Sequence, residues 1–281
     1  MKKVLVIGEN SYIGKSFAEY AKDRFSITMV SSRDSKWKDA DFTGYDSVLH
    51  CAGIAHVSQK ANMEKQYYGI NCDLAVEVAK KARDARVNQF IFLSSMSVYG
   101  SKTDEIDCET PPNPDGLYGH SKLKAEKKLH ELADDDFKLC IIRPPMVYGK
   151  DCPGNFPRLV KLAKRTPIFP DYPNKRSMIY IENLCEFIAK TIDNNSSGIH
   201  LPQNALHVNT TTLVKCISHL KNKRELTLKL FNPIISMLAK HINPINKLFG
   251  NLIYVYNGNE KEYNIVEFEE SIKRSIDGNG W

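Results

Sequence analysis

The sequence lacks several features that would each define a class of protein. Its seven cysteines, at positions 51, 72, 108, 140, 152, 185 and 216, include no CxxC pair and fit neither a zinc site nor a disulfide framework. No apolar stretch is long enough to span a bilayer, and the N-terminal run "VLVI" stops at Gly8. No internal repeat or low-complexity tract is visible. We therefore expect no metal site, no signal peptide, no stable membrane insertion, and reduced thiols in a cytoplasmic protein.

A strong excess of one charge is also lacking. The 281 residues include 39 Lys and Arg against 33 Asp and Glu, so the formal charge is only +6, and the basic residues are spread along the chain. This weak basicity suits an anionic small molecule at least as well as nucleic acid, so no nucleic-acid partner is predicted. With 42% hydrophobic and 26% charged residues, the composition is typical of a globular protein with a sizeable core.

Alternating strand and helix patterns fill the first half. Buried strands are predicted for "KKVLVIG", "FSITMVSS", "DSVLHCAG", "QFIFLSSMSVYG" and "KLCIIRPPMVYG". Helical spacing lies between them, as in "MEKQYYGINCDLAVEVAKKARDAR" and "HSKLKAEKKLHELA". This alternation indicates an α/β fold with a doubly wound (Rossmann) parallel sheet. The sheet domain is expected over residues 1–150 and a smaller C-terminal substrate-binding lobe over 151–281, with a segment near 177–200 returning to the first domain.

The C-terminal half is less regular. Prolines at positions 153, 157, 167, 170 and 173 divide it into loops and short helices. Residues 226–248 form an apolar amphipathic segment that contains Pro233 and Pro244. Such a segment could touch a membrane surface, but Lys229, Lys240 and His241 supply few charges for that role. A packed helix or the face of a homodimer is therefore favoured.

A glycine turn lies between the first predicted strand and the first predicted helix. In "GENSYIG" the spacing is Gly8-x-x-Ser11-x-x-Gly14. The backbone of such a turn can approach a pyrophosphate closely, and the positive end of the following helix attracts it. A glycine turn at the start of a βαβ array indicates a dinucleotide site far better than a glycine turn alone. The candidate cofactor-binding residues here are Gly8, Asn10, Ser11, Tyr12, Ile13 and Gly14.

Three further motifs follow this turn in order: "LHCAG", "FLSSMSVYG" and "YGHSK". With the turn, they resemble the extended short-chain dehydrogenase/reductase family of nucleotide-sugar epimerases, dehydratases and reductases. The similarity runs from Lys3 to about Leu184, with a weaker match at "VEFEESIKRSI", and Ser11 replaces the family's usual middle glycine. The resemblance places Arg143 and Pro144 at the rim of a nicotinamide pocket. It implies further cofactor contacts from Cys51, Ala52, Gly53, Ser94, Tyr118, Lys122, Pro145 and Met146.

The resemblance also implies a catalytic triad of Ser95, Tyr118 and Lys122. Moving a hydride to or from a sugar carbon requires an acid/base at the adjoining oxygen. A lysine ammonium ~5 Å from a tyrosine, at an effective dielectric of ~20, favours the phenolate by about 3 kcal/mol, or roughly two pKa units. Tyr118 is therefore expected to exchange a proton near neutral pH. Ser95 would donate to the substrate oxygen, and Lys122 would hold the nicotinamide ribose.

Substrate contacts are implied by the same resemblance at Ser95, Ser97, Tyr118, Asn155, Phe156, Phe169 and Arg176. Phe169 would pack on a uracil base, and Arg176 would bind a diphosphate, for which its planar guanidinium is suited. Asn183 stands where the family usually has an aspartate.

The end of the second predicted strand bears on cofactor choice. NAD-specific folds of this kind place an acidic residue there to bind the ribose 2′-hydroxyl. This chain instead has "MVSSRDS", with Ser32 and Arg33 at that position. Hydroxyls and a guanidinium suit a 2′-phosphate, so NADP(H) is favoured. A shift of register that brought Asp34 to the ribose would favour NAD(H) instead.

The favoured function is reduction of the 4-keto group of a nucleotide sugar with NADPH, in the synthesis of surface polysaccharide sugars. The alternative is a UDP-sugar 4-epimerase, of the UDP-glucose or UDP-N-acetylglucosamine type, which retains and recycles NAD. A third hypothesis is a non-catalytic nucleotide-sensing protein of the same fold. It is disfavoured because such relatives usually lose the tyrosine or the lysine.

Overall fold

A computed structural model describes residues 1–33, 35–55, 63–221, 226–239, 241–256 and 258–277. The strands are β1 (Lys3–Ile7), β2 (Ser26–Val30), β3 (Ser47–His50), β4 (Gln89–Leu93), β5 (Glu105–Ile106), β6 (Lys138–Ile142), β7 (Met146–Tyr148), β8 (Ile168–Pro170), β9 (Met178–Tyr180), β10 (Gly198–His200), β11 (Leu226–Leu228) and β12 (Ile253–Tyr254). The α-helices are α1 (Tyr12–Tyr20), α2 (Lys36–Asp39), α3 (Met63–Tyr68), α4 (Leu74–Asp84), α5 (Leu117–His130), α6 (Asn155–Arg165), α7 (Ile181–Asp193), α8 (Thr210–Leu220), α9 (Asn232–Ala239), α10 (Asn243–Phe249) and α11 (Phe268–Asp277).

The chain divides into two compact units. The first comprises Met1–Gly100, Pro112–Pro144 and Leu184–Pro202. The second comprises Ser101–Pro111, Pro145–Asn183 and Gln203–Trp281. Each unit is thus assembled from separate stretches of chain, and residues 184–202 rejoin the first unit after the chain has entered the second.

The first unit is built on a six-stranded sheet in the order β10-β6-β4-β3-β1-β2, in which every pair is parallel. This is a doubly wound sheet, so the predicted fold class is confirmed. Ile7 pairs with His50, and His50 pairs with Phe92, so the carboxyl ends of β1, β3 and β4 lie side by side. Ligands of such sheets bind beyond the carboxyl ends of the strands. The predicted cofactor and triad motifs leave the sheet at this edge.

Apolar runs explain why the central strands form. Every residue of β4 is buried, as are the last four residues of β1. Side chains from β1, β3 and β4 pack against α4 and α5 through small residues, Ala75, Ala79, Ala82 and Ala125. Alanines allow a helix backbone to approach a sheet closely, and each fully buried Leu, Ile or Phe of the sheet contributes about 1.5–3 kcal/mol.

Three predicted elements differ in detail. The strand predicted for "KLCIIRPPMVYG" is two strands, because Pro144 and Pro145 supply no N–H to a ladder. Its first part is β6, and its second part is β7, which pairs with β9 in the second unit. The strand predicted for "QFIFLSSMSVYG" ends at Leu93, and residues 96–99 form a 3₁₀ helix. The long predicted helix is interrupted by a π-helical segment, Gly69–Asp73.

The second unit contains three two-stranded parallel sheets, formed by β7 with β9, β8 with β11, and β5 with β12. Asn183 joins parts of this unit. Its side-chain nitrogen donates to the side-chain oxygen of Asn264 (3.0 Å) and to the carbonyl of Val266 (3.1 Å), and its oxygen accepts from the Val266 N–H (3.0 Å). An aspartate could not donate those two bonds, which gives a physical reason for this departure from the family's usual residue.

The segment 226–248 contains β11, a 3₁₀ turn (Lys229–Phe231), α9 and most of α10. Lys240 lies outside the described residues. Within α9, Ile235 is buried, but Ile234 and Met237 are exposed. The face predicted to be packed is therefore largely uncovered in the single chain. Among the described residues, no helix is long and apolar enough to cross a membrane.

Candidate active site

The glycine turn follows β1 and begins α1. Gly8 has a φ of +113°, and a Cβ added to it would lie 2.9 Å from the backbone nitrogen of Ala52. Gly8 therefore requires glycine, and at Gly14 a Cβ would lie 3.1 Å from the Gly8 carbonyl oxygen, a contact tighter than most. The Ser11 hydroxyl caps α1 by accepting from the Gly14 N–H (3.4 Å). It still has its own hydrogen to donate. Asn10, Tyr12 and Ile13 belong to the same turn and first helical residues.

The end of β2 lies against this turn, because the Gly8 and Glu9 N–H groups both donate to the Val30 carbonyl (2.9 and 3.3 Å). Beyond it, the Arg33 N–H donates to the buried Ser31 hydroxyl (3.2 Å), and the Arg33 side chain is exposed. Ser32, half-buried, lies between them. Asp34, the residue that would favour NAD(H), lies outside the described residues. The turn and the segment after β2 are thus neighbours, as the adenosine half of a dinucleotide requires.

The loop after β3 carries Cys51, Ala52 and Gly53. A Cβ on Gly53 would lie 3.3 Å from the Lys122 ammonium and 3.1 Å from the side-chain oxygen of Asn71. Asn71 also accepts from the Ile54 N–H (2.8 Å) and donates to the Ile54 carbonyl (3.0 Å) and the Ser121 hydroxyl (3.0 Å). It therefore ties the loop after β3 to the helix that carries Tyr118 and Lys122. Sequence reasoning missed Asn71, because the π-helical segment that points it inward has no pattern in the sequence.

The predicted triad comes together in the first unit. Ser95 begins the 3₁₀ helix after β4, where its hydroxyl accepts from the Ser97 N–H (3.1 Å) and donates to the Ser97 hydroxyl (3.1 Å). Tyr118 and Lys122 lie in the first two turns of α5. A side-chain hydrogen bond links Ser95 to Tyr118. The Lys122 ammonium donates to the Leu93 carbonyl (2.7 Å).

Gly119 explains how α5 comes so close to the 3₁₀ helix. A Cβ added there would lie 2.9 Å from Pro114 Cβ and 3.1 Å from the Ser97 carbonyl carbon, with the Ser97 carbonyl oxygen nearer still. Only glycine leaves room for this contact. The contact brings the α5 backbone next to Tyr118 against the 3₁₀ helix that Ser95 begins.

The electrostatics differ from the expectation for Tyr118. Burial raises the pKa of Tyr118, the hydrogen bond with Ser95 opposes this increase, and Lys122 is not among the groups that change it. The reason is the position of the Lys122 ammonium, which lies against Leu93 and 4.5 Å from the centre of the Phe92 ring. Burial lowers the pKa of Lys122 to about 8, so the side chain remains largely charged at neutral pH.

His50, at the end of β3, is fully buried between Phe90 and Phe92. Its two ring nitrogens have no hydrogen-bond partner within the described part of the chain. Burial lowers the pKa of His50 to about 3, and the Lys122 charge acts in the same direction. The ring is therefore neutral at physiological pH.

Arg143 and Ser94 have partners that the sequence did not indicate. The buried Arg143 guanidinium forms a two-pronged ion pair with Glu126 (3.0 and 2.6 Å) and donates to the Tyr99 hydroxyl (2.6 Å). Ser94 donates to the same carboxylate. These bonds join α5 to the ends of β4 and β6, so Arg143 and Ser94 support the triad's framework from the interior.

The substrate residues implied by resemblance divide between the units: Ser95, Ser97 and Tyr118 belong to the first, and Asn155, Phe156, Phe169 and Arg176 to the second. Phe156 is buried with its ring 5.2 Å from that of Tyr148, and its neighbour Asn155 is exposed. Phe169 is 2% exposed and packs on Phe249, with ring centres 5.8 Å apart. Its ring is thus enclosed by protein.

Arg176 is half-buried and donates to the Gly250 carbonyl (2.9 Å), and burial lowers its pKa to about 10. Pro145 and Met146 begin the second stretch of this unit, and Met146 pairs with Met178. Over the described ranges, no group of three or more metal-ligating side chains occurs.

Comparison with known proteins gives one family match and several relatives. The model of the NAD dependent epimerase/dehydratase family matches residues 4–204. UDP-glucose 4-epimerase of Vibrio cholerae is 35% identical over an alignment of 219 residues that covers 73% of this chain and 62% of that protein. N-acetyl-alpha-D-glucosaminyl-diphospho-ditrans,octacis-undecaprenol 4-epimerase of Escherichia coli O157:H7 is 26% identical over 282 aligned residues, covering 92% and 85% of the two chains.

Solved structures share the fold. The crystal structure of dTDP-4-dehydrorhamnose reductase from Bacillus anthracis, in complex with NADP, has a TM-score of 0.74 at 20% identity and covers all of both chains. Other structures with this fold contain NAD.

Proposed function

The chain belongs to the NAD dependent epimerase/dehydratase family, and on this premise we propose that it is a 4-epimerase of a sugar 1-diphosphate. The observation that carries the proposal is the meeting, in one unit, of the glycine turn with Ser95, Tyr118 and Lys122. The reductase favoured by the sequence rests on Arg33 alone, whereas the relatives above are named as 4-epimerases. The names of these relatives therefore support the 4-epimerase, the alternative to the reductase.

The residues of the first unit fit a nicotinamide dinucleotide. Gly8 has no side chain to block the approach of a pyrophosphate to the turn, and α1 presents its N-terminus there. Ser32 and Arg33 would meet the adenine ribose, and Lys122 the nicotinamide ribose. When bound, the dinucleotide supplies a hydride acceptor and donor. NADP(H) remains our proposal for the form bound, because the exposed Arg33 side chain offers a guanidinium to a 2′-phosphate.

Tyr118 would act as the acid/base. Its phenolate takes the proton of the sugar O4 while the C4 hydride leaves, so that the C4–O bond becomes a carbonyl. In the return step Tyr118 gives the proton back as the hydride adds to the opposite face of C4, and the net result is inversion without net oxidation. Because burial raises the pKa of Tyr118, this role requires positive charge near the phenol. Lys122, charged at neutral pH and one helical turn along α5, would supply it, and Ser95 would donate to the developing oxygen charge.

A specific observation favours a second substrate candidate. Phe169, the residue expected to stack on uracil, is enclosed against Phe249. The Escherichia coli relative is named for a sugar diphosphate that is linked to undecaprenol and not to a nucleoside. A polyprenol-linked sugar diphosphate shares the sugar and the diphosphate with a UDP-sugar, so Arg176 could serve either one. We keep the UDP-sugar as the first candidate and the polyprenol-linked sugar as the second.

The test is product analysis by NMR after incubation with UDP-glucose, UDP-N-acetylglucosamine and undecaprenyl-diphosphate N-acetylglucosamine. We expect a 4-epimer to form without net consumption of NADH or NADPH. Tyr118→Phe should lower kcat by about 10²–10⁴ and leave cofactor binding intact. Tyr45→Phe, at another half-buried tyrosine of the same unit, is the matched control. Stoichiometric oxidation of NADPH by a 4-keto sugar would establish the reductase instead, and no turnover with any of these sugars would favour the non-catalytic hypothesis.

A further inference from the structure

An apolar surface runs along α9 and the turns before and after it. It consists of Leu230, Phe231, Ile234, Met237 and Ile242, all of which are exposed. Leu230 is 78% exposed, Ile234 56% and Met237 58%. Ile234 and Met237, three residues apart, share one side of α9, and Leu230 lies in the 3₁₀ turn that precedes this helix. Large apolar side chains that are exposed together mark an interaction site more often than single exposed ones do.

The stretch of chain that carries this apolar surface is basic. Residues 194–259 contain seven Lys and Arg but a single acidic residue, Glu225, so their formal charge of +6 equals that of the whole chain. Lys229 and Lys247, which flank the apolar surface in sequence, are both exposed. The few charges noted for residues 226–248 therefore understate the basicity of the region, because the acidic residues that offset lysines elsewhere are missing here.

We propose that the apolar surface docks on the headgroup layer of an anionic membrane. An apolar helix side flanked by lysines lies in the plane of such a membrane, with its apolar residues among the acyl chains and its lysines at the lipid phosphates. A second copy of the chain fits less well, because a self-complementary contact would bring the lysines of both copies together. The helix is too short to span the bilayer, so the association is peripheral and reversible.

The contacts of α9 link this surface to the segment predicted to bind the substrate. The side-chain nitrogen of Asn232 donates to the Asp171 carbonyl (2.9 Å), and the Tyr172 and Ser236 hydroxyls are 3.1 Å apart. Arg176 donates to Gly250, the residue after α10. Docking through α9 therefore brings residues 169–176 towards the lipid headgroups. This consequence rests on the proposed function and favours a sugar diphosphate carried on a membrane lipid, whereas the docking itself does not depend on it.

The experiment is co-sedimentation of the full chain with vesicles. We expect binding to vesicles of phosphatidylglycerol and phosphatidylethanolamine, weaker binding at high salt, and little binding to phosphatidylcholine alone. The triple variant Leu230→Ser, Ile234→Ser, Met237→Ser should lower the partition coefficient at least tenfold. Loss of one lysine lowers the partition coefficient about fivefold, and Lys229→Glu, which also adds a negative charge, should lower it by more. A matched control replaces Ile199, Leu206 and Ile265, which are similarly exposed elsewhere, by serine.

The outcomes separate the alternatives. Retained vesicle binding by the control and its loss in the triple variant support the proposal. No binding by the wild type, or equal binding by the triple variant, overturns it. Light scattering that shows a wild-type dimer and a monomeric triple variant, without vesicle binding, also overturns it and assigns the surface to a second copy. Turnover of a soluble UDP-sugar should be unchanged in the triple variant, so failure of the docking and failure of the proposed function are distinguishable.

Discussion

Gly119→Ala tests whether the contact between α5 and the 3₁₀ helix sets the triad's geometry. The added Cβ would press on the Ser97 carbonyl and lie 2.9 Å from Pro114 Cβ, closer than real Cβ contacts come. The two backbones must then separate by roughly 0.5–1 Å, and overpacking of this kind costs about 1–3 kcal/mol. Alanine recovers about 1 kcal/mol of helix propensity, so we expect a net loss of only about 0–2 kcal/mol in the free energy of unfolding.

The effect on turnover should be much larger than the effect on stability. A misplacement of about 1 Å between catalytic groups costs about 100-fold in rate, so kcat should fall by about that factor. The assays are steady-state epimerisation of a UDP-sugar and urea unfolding. Gly69→Ala is the control, because a Cβ there meets nothing within 4 Å. A Gly119→Ala variant with wild-type kcat and normal stability would refute the idea that this contact positions Ser95 and Tyr118.

Three further predictions concern single side chains. Arg33→Ala should raise the Kd of NADPH by about 10- to 100-fold and leave that of NADH nearly unchanged in fluorescence titrations, because a charge-assisted bond to the 2′-phosphate is lost; tighter binding of NADH by the wild type would contradict this. Arg176→Ala should raise KM with little change in kcat, since a diphosphate contact is equal in the ground and transition states. The exposed control Arg165→Ala should leave the substrate affinity unchanged in calorimetry. The same unchanged affinity in Arg176→Ala would exclude Arg176 from the substrate site. His50→Leu should raise the free energy of unfolding by about 1–3 kcal/mol at pH 7.5, because a buried polar ring without partners is removed. The pKa of His50 is about 3 in the folded chain against 6.5 in the unfolded chain, so the wild type loses stability as pH falls through this window. The stability advantage of His50→Leu over the wild type should therefore grow by about 2 kcal/mol at pH 5. An advantage of the same size at both pH values in urea unfolding would refute the argument.

Much of the cofactor half of the site follows from local sequence. Gly8 and Gly14 are recognisable because a strand and a helix adjoin them, and the i, i+4 spacing of Tyr118 and Lys122 sets them on one side of any helix. The doubly wound sheet follows from the alternation of buried apolar runs with helical spacing. These features depend on neighbours within a few residues, which is the range over which sequence patterns carry information.

The tertiary structure alone decided how those motifs are supported. Asn71 meets Ser121 across 50 residues, and Ser94 meets Glu126 across 32. No periodicity predicts such pairs, because they form only after the sheet has brought separate helices to one edge. The pKa of Tyr118 is a further example, since spacing predicts a decrease, whereas burial raises this pKa and the Lys122 ammonium, bound to the Leu93 carbonyl, does not lower it.

The second unit shows the same division. The sequence alone determined that residues 226–248 are apolar and amphipathic, but periodicity reports which side chains share a face and not what covers that face. Only the folded chain decided that Ile235 turns inward while Leu230, Ile234 and Met237 remain in solvent, and that Phe169 is enclosed by Phe249. Burial is a property of distant segments packed together, so it cannot be read from the segment that is buried.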